Sequence, residues 1–339
     1  MPVKATVNLK NVVRNAKLIR KTLPEKVKFC AVVKADAYGH GAAKVANALY
    51  RIADCFAVAT VEEGVSLRFC GIDKDVLVLT SACYSEVARA VNYSLTLTAG
   101  GLTDLRRYQK EAVRQQREVK VHIKFNTGMN RQGIDDVKEL EKAILFCKKS
   151  RYLKFCGLYS HFAAPECARS FRRAADKFAI AEKLVKGYDK DVICHISASG
   201  GFLRGAYYDM VRIGILLYGY KPFKTDALNV KPALKVTAPV VLRRSVRRGE
   251  SALYGDKRVK RDAVLTLVRY GYADGLFRKE VKGQFNNRCM DLTAVKGVKE
   301  GVYRAAVMTD AEKTAKLYKT IPYEILVKCA LRAQKFYLK

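Results

Sequence analysis

No apolar run in these 339 residues reaches the roughly 18 needed to cross a bilayer. The opening segment, MPVKATVNLKNVVRNAKLIRK, has no apolar stretch followed by a small-residue cleavage site, so no secretory signal is expected. Together these absences make a soluble, cytoplasmic protein with no membrane partner the expectation. The ten cysteines are irregularly spaced and none forms a C-x-x-C pair, so neither a metal site nor a disulfide framework is expected. Cys30, Cys55, Cys156 and Cys194 fall in apolar runs, where a free thiol serves as a small core residue. Zinc-finger, homeodomain and RRM signatures are missing, as are internal repeats and low-complexity tracts. Acidic residues are scarce, 32 against 64 lysines and arginines, which leaves a net charge of +32. A basic chain attracts polyanions. Here the positive residues are spread over predicted helix faces with acids between them, as in DLRRYQKEAVRQQREVK and SFRRAADKFAIAEKLVKG. No specific nucleic-acid partner is expected.

What is present is ample core material, half of the chain being apolar and 10% aromatic. A prior of about one domain per 150 residues allows two domains. Between residues 28 and about 217, short β-rich runs recur at KFCAVVKA, CFAVAT, DVLVLT, SLTLTA, VKVHIKF, LKFCGLYSHF, DVICHIS and MVRIGILLYG. Helix-like stretches such as GAAKVANALYRI and VKELEKAILFCKK separate most of them. Alternation of this kind predicts parallel βα units, and about eight of them close into a (β/α)8 barrel. An open doubly wound sheet has the same periodicity, but no Gly-x-Gly-x-x-Gly follows the first strand. Beyond YKPFKTDALNVKPAL the runs become rich in β-branched residues. The predicted architecture is an α/β TIM-like barrel over residues 1–222, followed by a mainly β C-terminal domain over residues 223–339.

The stretch KFCAVVKADAYGHGA ends an apolar strand on Lys34. A lysine there costs free energy unless its charge is neutralised or used. Chemistry in parallel barrels sits at the C-terminal ends of the strands. Desolvation lowers a lysine's pKa and makes it a nucleophile toward aldehydes such as pyridoxal phosphate. The bland alternative is a lysine snorkelling at the barrel rim. Later strand ends place Arg131, His161, Ser199, Arg212 and the Gly214 backbone on the same predicted face. Ser199 and its small neighbours offer a hydroxyl and approachable N–H groups to a phosphate. Singly, His161 reads equally as a core histidine and Arg212 as a rim charge; their joint placement favours a site.

These residues also carry a resemblance. AVVKADAYGHGA resembles the cofactor-attachment motif of alanine racemases, and NTGMNRQG, GLYSHFA, MVRIGILLYG, SALYG, GYADG and CMD follow in that family's order over nearly the whole chain. The resemblance implies pyridoxal 5'-phosphate as cofactor, alanine as the small amino-acid substrate, and D-alanine supplied for cell-wall peptidoglycan. It implies that Lys34 bonds the cofactor and is one of two catalytic bases. Tyr254 is implied as the second, reaching across a homodimer with shared active sites. Tyr38, Ser199, Gly214, Ile215 and Tyr323 match phosphate contacts, and Arg212 matches the partner of the pyridine nitrogen. His161 matches a residue stacked near the ring. Arg131 matches the residue that binds the substrate carboxylate, and Met290 a second carboxylate contact through its backbone. Lys124 matches a lysine that is carbamylated in many members and orients Arg131; Tyr272 and Asp291 match pocket residues.

The chain departs from the family's pattern at Asn8 and Asn126, where acids are common, at Asn130 in place of a glycine, and at Ala198 in place of an asparagine. Two related readings stay open on the same scaffold. One is a racemase of another small amino acid such as serine. The other is a barrel-type decarboxylase, which has no need of the SALYG tyrosine.

Overall fold

The structure, a computed structural model, describes residues 1–251, 253–254, 258–278, 288–295 and 298–338. Two units divide the chain. One comprises Val12–Ala37 and Ala42–Lys231, the other Met1–Asn11, Tyr38–Gly41 and Pro232–Lys339.

The larger unit is the barrel that the alternating pattern predicts. After β1 (Lys4–Asn8), its eight strands are β2 (Lys28–Val32), β3 (Cys55–Val58), β4 (Val76–Val78), β5 (Thr96–Ala99), β6 (Val119–Lys124), β7 (Leu153–Tyr159), β8 (Ile193–His195) and β9 (Met210–Ile213). They pair in parallel in the order β8-β7-β6-β5-β4-β3-β2-β9. The ring closes where Asp209 N donates to Cys194 O at 3.1 Å and Arg212 N donates to Ser197 O at 3.0 Å. Most positions of these strands are buried because both faces are covered, by the filled barrel interior and by the surrounding helices.

The helices earn their places by spacing. Leu9–Thr22 buries Val12, Asn15, Ala16 and Ile19, and Ala168–Tyr188 buries Ala174, Phe178, Ala181 and Val185. Each set falls on one stripe of a 3.6-residue helix. Buried Asn15 is satisfied by donating to Leu217 O and Lys231 O and by accepting from Lys231 N, at 2.9–3.0 Å.

The second unit is built on β10 (Leu234–Val246), β11 (Ala263–Val268), β12 (Thr293–Val295), β13 (Arg304–Met308) and β14 (Gln334–Leu338), with helices at Ala311–Tyr318 and Pro322–Cys329. Its central strand is long because it serves two sets of partners. The first half of β10 pairs with β1 and β13, and its second half, beyond a register shift at Val240–Leu242, pairs with β11. Pro239 stands at that changeover, where a residue without an N–H interrupts the ladder least. β1 belongs to this sheet, antiparallel to β10 and parallel to β14.

Candidate active site

Lys34 begins where β2 ends, and the chain then takes an uncommon path. Ala35, Asp36, Ala37 and Tyr38 all have φ between 51° and 54°. Left-handed backbone costs a residue with a Cβ roughly 1–2 kcal/mol, so other contacts must hold it. Glu63 Oε1 accepts from Ala35 N at 2.6 Å, Asp36 Oδ1 accepts from Ala42 N at 2.7 Å, and Ala37 N donates to Val33 O at 2.8 Å. Gly39, at φ 80°, continues the bend where a Cβ would lie 2.5 Å from Leu326 O, so only glycine fits. The small residues after Lys34 therefore serve a strained turn that fixes where the lysine stands.

Glu63 anchors this turn from the neighbouring strand end. It lies in the first turn of Val61–Phe69, where Thr60 and Glu63 cap the helix reciprocally. Sequence reasoning missed it. The Thr-x-x-Glu spacing marks a helix start, but nothing local shows that the same carboxylate reaches Ala35.

Lys124 closes β6, Arg131 sits in the following loop, His161 follows β7, Ser199 follows β8, Arg212 lies in β9, and Gly214 and Ile215 follow it. All eight of these residues, Lys34 included, thus lie at the end of the barrel where parallel-sheet chemistry collects. Ser199 Oγ accepts from Gly214 N at 3.3 Å. Burial and the nearby Arg131 and Arg212 guanidinium groups hold the Lys34 ammonium below its ordinary pKa, with Glu63 opposing them. Burial and the same positive neighbours lower Lys124 to about 8. His161 is pushed down to about 3, chiefly by burial and then by Arg212 and Arg131, so its ring is neutral at pH 7. Among the described residues, no carboxylate forms an ion pair with Lys34, Lys124, Arg131 or Arg212. Four cations gathered without a paired carboxylate make a strongly anion-attracting pocket.

Arg212 is buried, at 3% exposure. Its guanidinium donates to Ser160 O at 2.7 Å, Ile196 O at 3.0 Å and His195 O at 3.2 Å, and to the Nδ1 of His195 at 2.5 Å. The His195 ring stacks on Tyr159 with planes 5° apart, and its Nε2 lies 2.9 Å from His122 Nδ1. Neither histidine was singled out from the sequence, because a histidine inside an apolar strand has no periodic signal of its own.

The remaining candidates belong to the second unit. Tyr38 and Tyr323 pair with ring centroids 6.0 Å apart, and burial raises the phenol of each, that of Tyr323 to about 12. Tyr254 is 65% exposed; Ala252 and Gly255 of its SALYG motif lie outside the described residues. Tyr272 opens a short 3-10 turn, Tyr272–Asp274, whose Ala273 N donates to Met290 O at 3.0 Å. A Cβ on Gly271 would lie 1.9 Å from the same carbonyl, so that glycine permits the close approach. Asp291 is engaged by Arg332 at 2.9 Å.

Residues 7–222 match the family model described as the N-terminal domain of alanine racemase, and residues 233–337 match that of its C-terminal domain. Alanine racemase 2 of Caldanaerobacter subterraneus subsp. tengcongensis is 33% identical, over 99% of this chain and 95% of the relative. Alanine racemase of Carboxydothermus hydrogenoformans is also 33% identical, over 99% of this chain and 100% of the relative. The solved alanine racemase of Clostridium difficile 630 superposes with a TM-score of 0.93 at 28% identity, covering 100% of this chain and 96% of that one. That of Bacillus anthracis with bound L-Ala-P gives 0.91 at 26%, covering 100% and 95%. No described helix is long and apolar enough to cross a membrane. With both halves matched in order and the barrel and β unit each in place, the chain belongs to the alanine racemase family.

Proposed function

We propose that this protein interconverts L-alanine and D-alanine with pyridoxal phosphate, working as a homodimer with shared sites and supplying D-alanine for peptidoglycan. The observation that carries the reading is the cluster of Lys34, Lys124, Arg131 and Arg212, which no carboxylate among the described residues pairs. A phosphorylated cofactor and an amino-acid carboxylate supply the missing negative charge. The residues fit that cofactor. Lys34 has the depressed pKa that attachment to an aldehyde needs. Ser199 and Gly214 place a hydroxyl beside a backbone N–H, suited to a phosphate. Arg212 offers donors and no acceptor, suited to holding an unprotonated ring nitrogen.

When bound, the cofactor makes the α-hydrogen of an attached amino acid acidic. The protein's own task is to manage that proton on two faces. Lys34 Nζ takes or returns it on one face, and the partner subunit's Tyr254 does so through its hydroxyl on the other. Arg131 would bind the substrate carboxylate as a bidentate donor, and the Met290 backbone is the second carboxylate contact that the family's pattern implies. Tyr38, Ile215 and Tyr323 would supply further phosphate contacts, and His161, neutral, would border the ring. Lys124, lowered to about 8, is an amine that carbon dioxide could carbamylate, and it would then orient Arg131. Tyr272 and Asp291 match the family's pocket residues.

The test is direct. Purified protein given the cofactor and L-alanine should form D-alanine, followed by chiral chromatography. L-Serine run in parallel measures whether one added hydroxyl is accepted. No racemisation of either amino acid, with carbon dioxide released from a basic amino acid such as L-lysine run beside them, would replace this reading with the decarboxylase.

A further inference from the structure

The loop between β6 and Ile134 presents Arg131, and its geometry is set by one buried carboxamide. Asn126 Oδ1 accepts the backbone N–H groups of Gly128 and Asn130, both at 3.0 Å. Its Nδ2 donates to Asn130 Oδ1 at 2.8 Å and to Asp135 Oδ1 at 2.5 Å. Two backbone donors fix which end of the amide is oxygen, and a carboxylate that only accepts fixes which end is nitrogen. The site thus needs a short side chain that accepts twice and donates twice. A carboxylate at this position could accept but not donate.

The neck of the loop is closed by Asn126 N to Ile134 O and Ile134 N to Lys124 O, both 2.8 Å. Beyond Arg131, Gln132 Nε2 donates to Ser81 Oγ at 2.5 Å, and Ser81 donates in turn to Asp104 Oδ2 at 2.5 Å. Asn130, held in left-handed backbone at φ 54°, is bonded to Asn126 through both its main chain and its side chain. Arg131 is the next residue, and among the described residues its guanidinium makes no hydrogen bond or ion pair. The loop is pinned on both sides of an arginine that is left available.

We propose that Asn126 is a positioning residue that sets Arg131 for the substrate carboxylate, acting through Asn130 and anchored on Asp135. This inference rests on the racemase reading of the site. Asn126→Asp sets a carboxylate against Asp135, so that contact becomes repulsive, and Asn130 has to turn its amide end for end to donate to it. Asp135→Asn in the same chain restores one donor and one acceptor across that contact.

The experiment uses holoenzyme and propionate, the substrate's carboxylate and methyl carbon without its amine, with binding measured by titration calorimetry beside alanine kinetics. In Asn126→Asp the propionate Kd and the alanine KM should each rise about tenfold, with kcat held within about threefold. Adding Asp135→Asn should recover most of that loss, because it removes one of the two opposed carboxylates. The rise in propionate Kd and KM at nearly constant kcat is what a merely structural defect would not show. If Asn126→Asp does not fold, Asn130→Gly decides, since it keeps the left-handed backbone and removes only the acceptor. It should raise the propionate Kd about threefold. Unchanged propionate affinity in the folded variant, equal losses in kcat and kcat/KM, or no rescue by Asp135→Asn overturns the inference alone. A wild-type holoenzyme without racemisation overturns the racemase reading and this inference together.

Discussion

Arg212 donates to the Nδ1 of His195, and that one contact orders the protons of two buried histidines. A guanidinium has only donors, so His195 Nδ1 is the acceptor and its proton sits on Nε2. That proton points to His122 Nδ1, 2.9 Å away, which leaves the His122 proton on its Nε2. Both rings are neutral in this arrangement. Burial holds His122 at about 3 and His195 well below its ordinary value, with the Arg212 charge acting in the same direction on both.

His122→Leu should leave the His195 Nε2–H buried without an acceptor. Unfolding in urea should show a loss of about 1–3 kcal/mol. Nitrogen chemical shifts of the wild type should report the Nε2–H form for both rings at pH 7 and still at pH 5. A charged ring at pH 5 would overturn the proton assignment.

Lys124 gives a pH signature. Its pKa is near 10.5 in the unfolded chain and about 8 in the folded protein. Between those values the unfolded state binds more protons, so stability rises with pH. The contribution is fully present above the unfolded pKa and is lost as pH falls through 8. Denaturant midpoints of cofactor-free protein at pH 7, 8, 9 and 10 should show this rise, and Lys124→Met should flatten it. Parallel curves for both proteins would place the titration elsewhere.

Lys34→Ala should abolish the borohydride-reducible bond between protein and cofactor, together with nearly all racemisation. Mass spectrometry after reduction reads the bond independently of activity. A retained adduct in the variant would assign the attachment to another lysine.

Tyr254→Phe keeps the ring and removes the ionisable hydroxyl. Racemisation should fall by on the order of 10²–10⁴, the usual contribution of a positioned acid or base. The loss should differ between L-alanine and D-alanine as substrate, because in the proposed reaction each base serves one enantiomer's α-proton. Mixing Tyr254→Phe with Lys34→Ala chains should restore activity on subunit exchange, since a mixed dimer has one site with both bases intact. Verified heterodimers that stay inactive would put both bases in one chain.

The barrel was legible because short β-rich runs alternate with helix-like stretches, a signal contained within some 30 residues. The candidate residues at its mouth, Lys34, Arg131, His161, Ser199 and Arg212, could be found because strand ends in such a barrel share a face. The turn after Lys34 was not legible. Alanines at 35 and 37 carry no preference for left-handed backbone, and the carboxylate that holds Ala35 comes from Glu63, 28 residues on. The Asn126 clamp shows in sequence only as two unusual asparagines, 126 and 130; its meaning depends on Asp135 lying within reach. Nor does anything in ATVN announce a β1 whose partners lie more than 200 residues away.

That placement of β1 has a consequence for how the chain is made and cut. Because β1 lies between β10 and β14, the second sheet lacks an interior strand until residues 4–7 and 234–237 meet. During synthesis the early segment must wait, unpaired, while the whole barrel is made. A fragment starting at Pro232 would expose two raw edges, the sort that pair with foreign strands. Adding a peptide of residues 1–11 to that fragment should fill the gap and suppress its aggregation. The seam visible in the sequence is therefore a poor place to divide the molecule, since the second unit takes one of its strands from the other end of the chain.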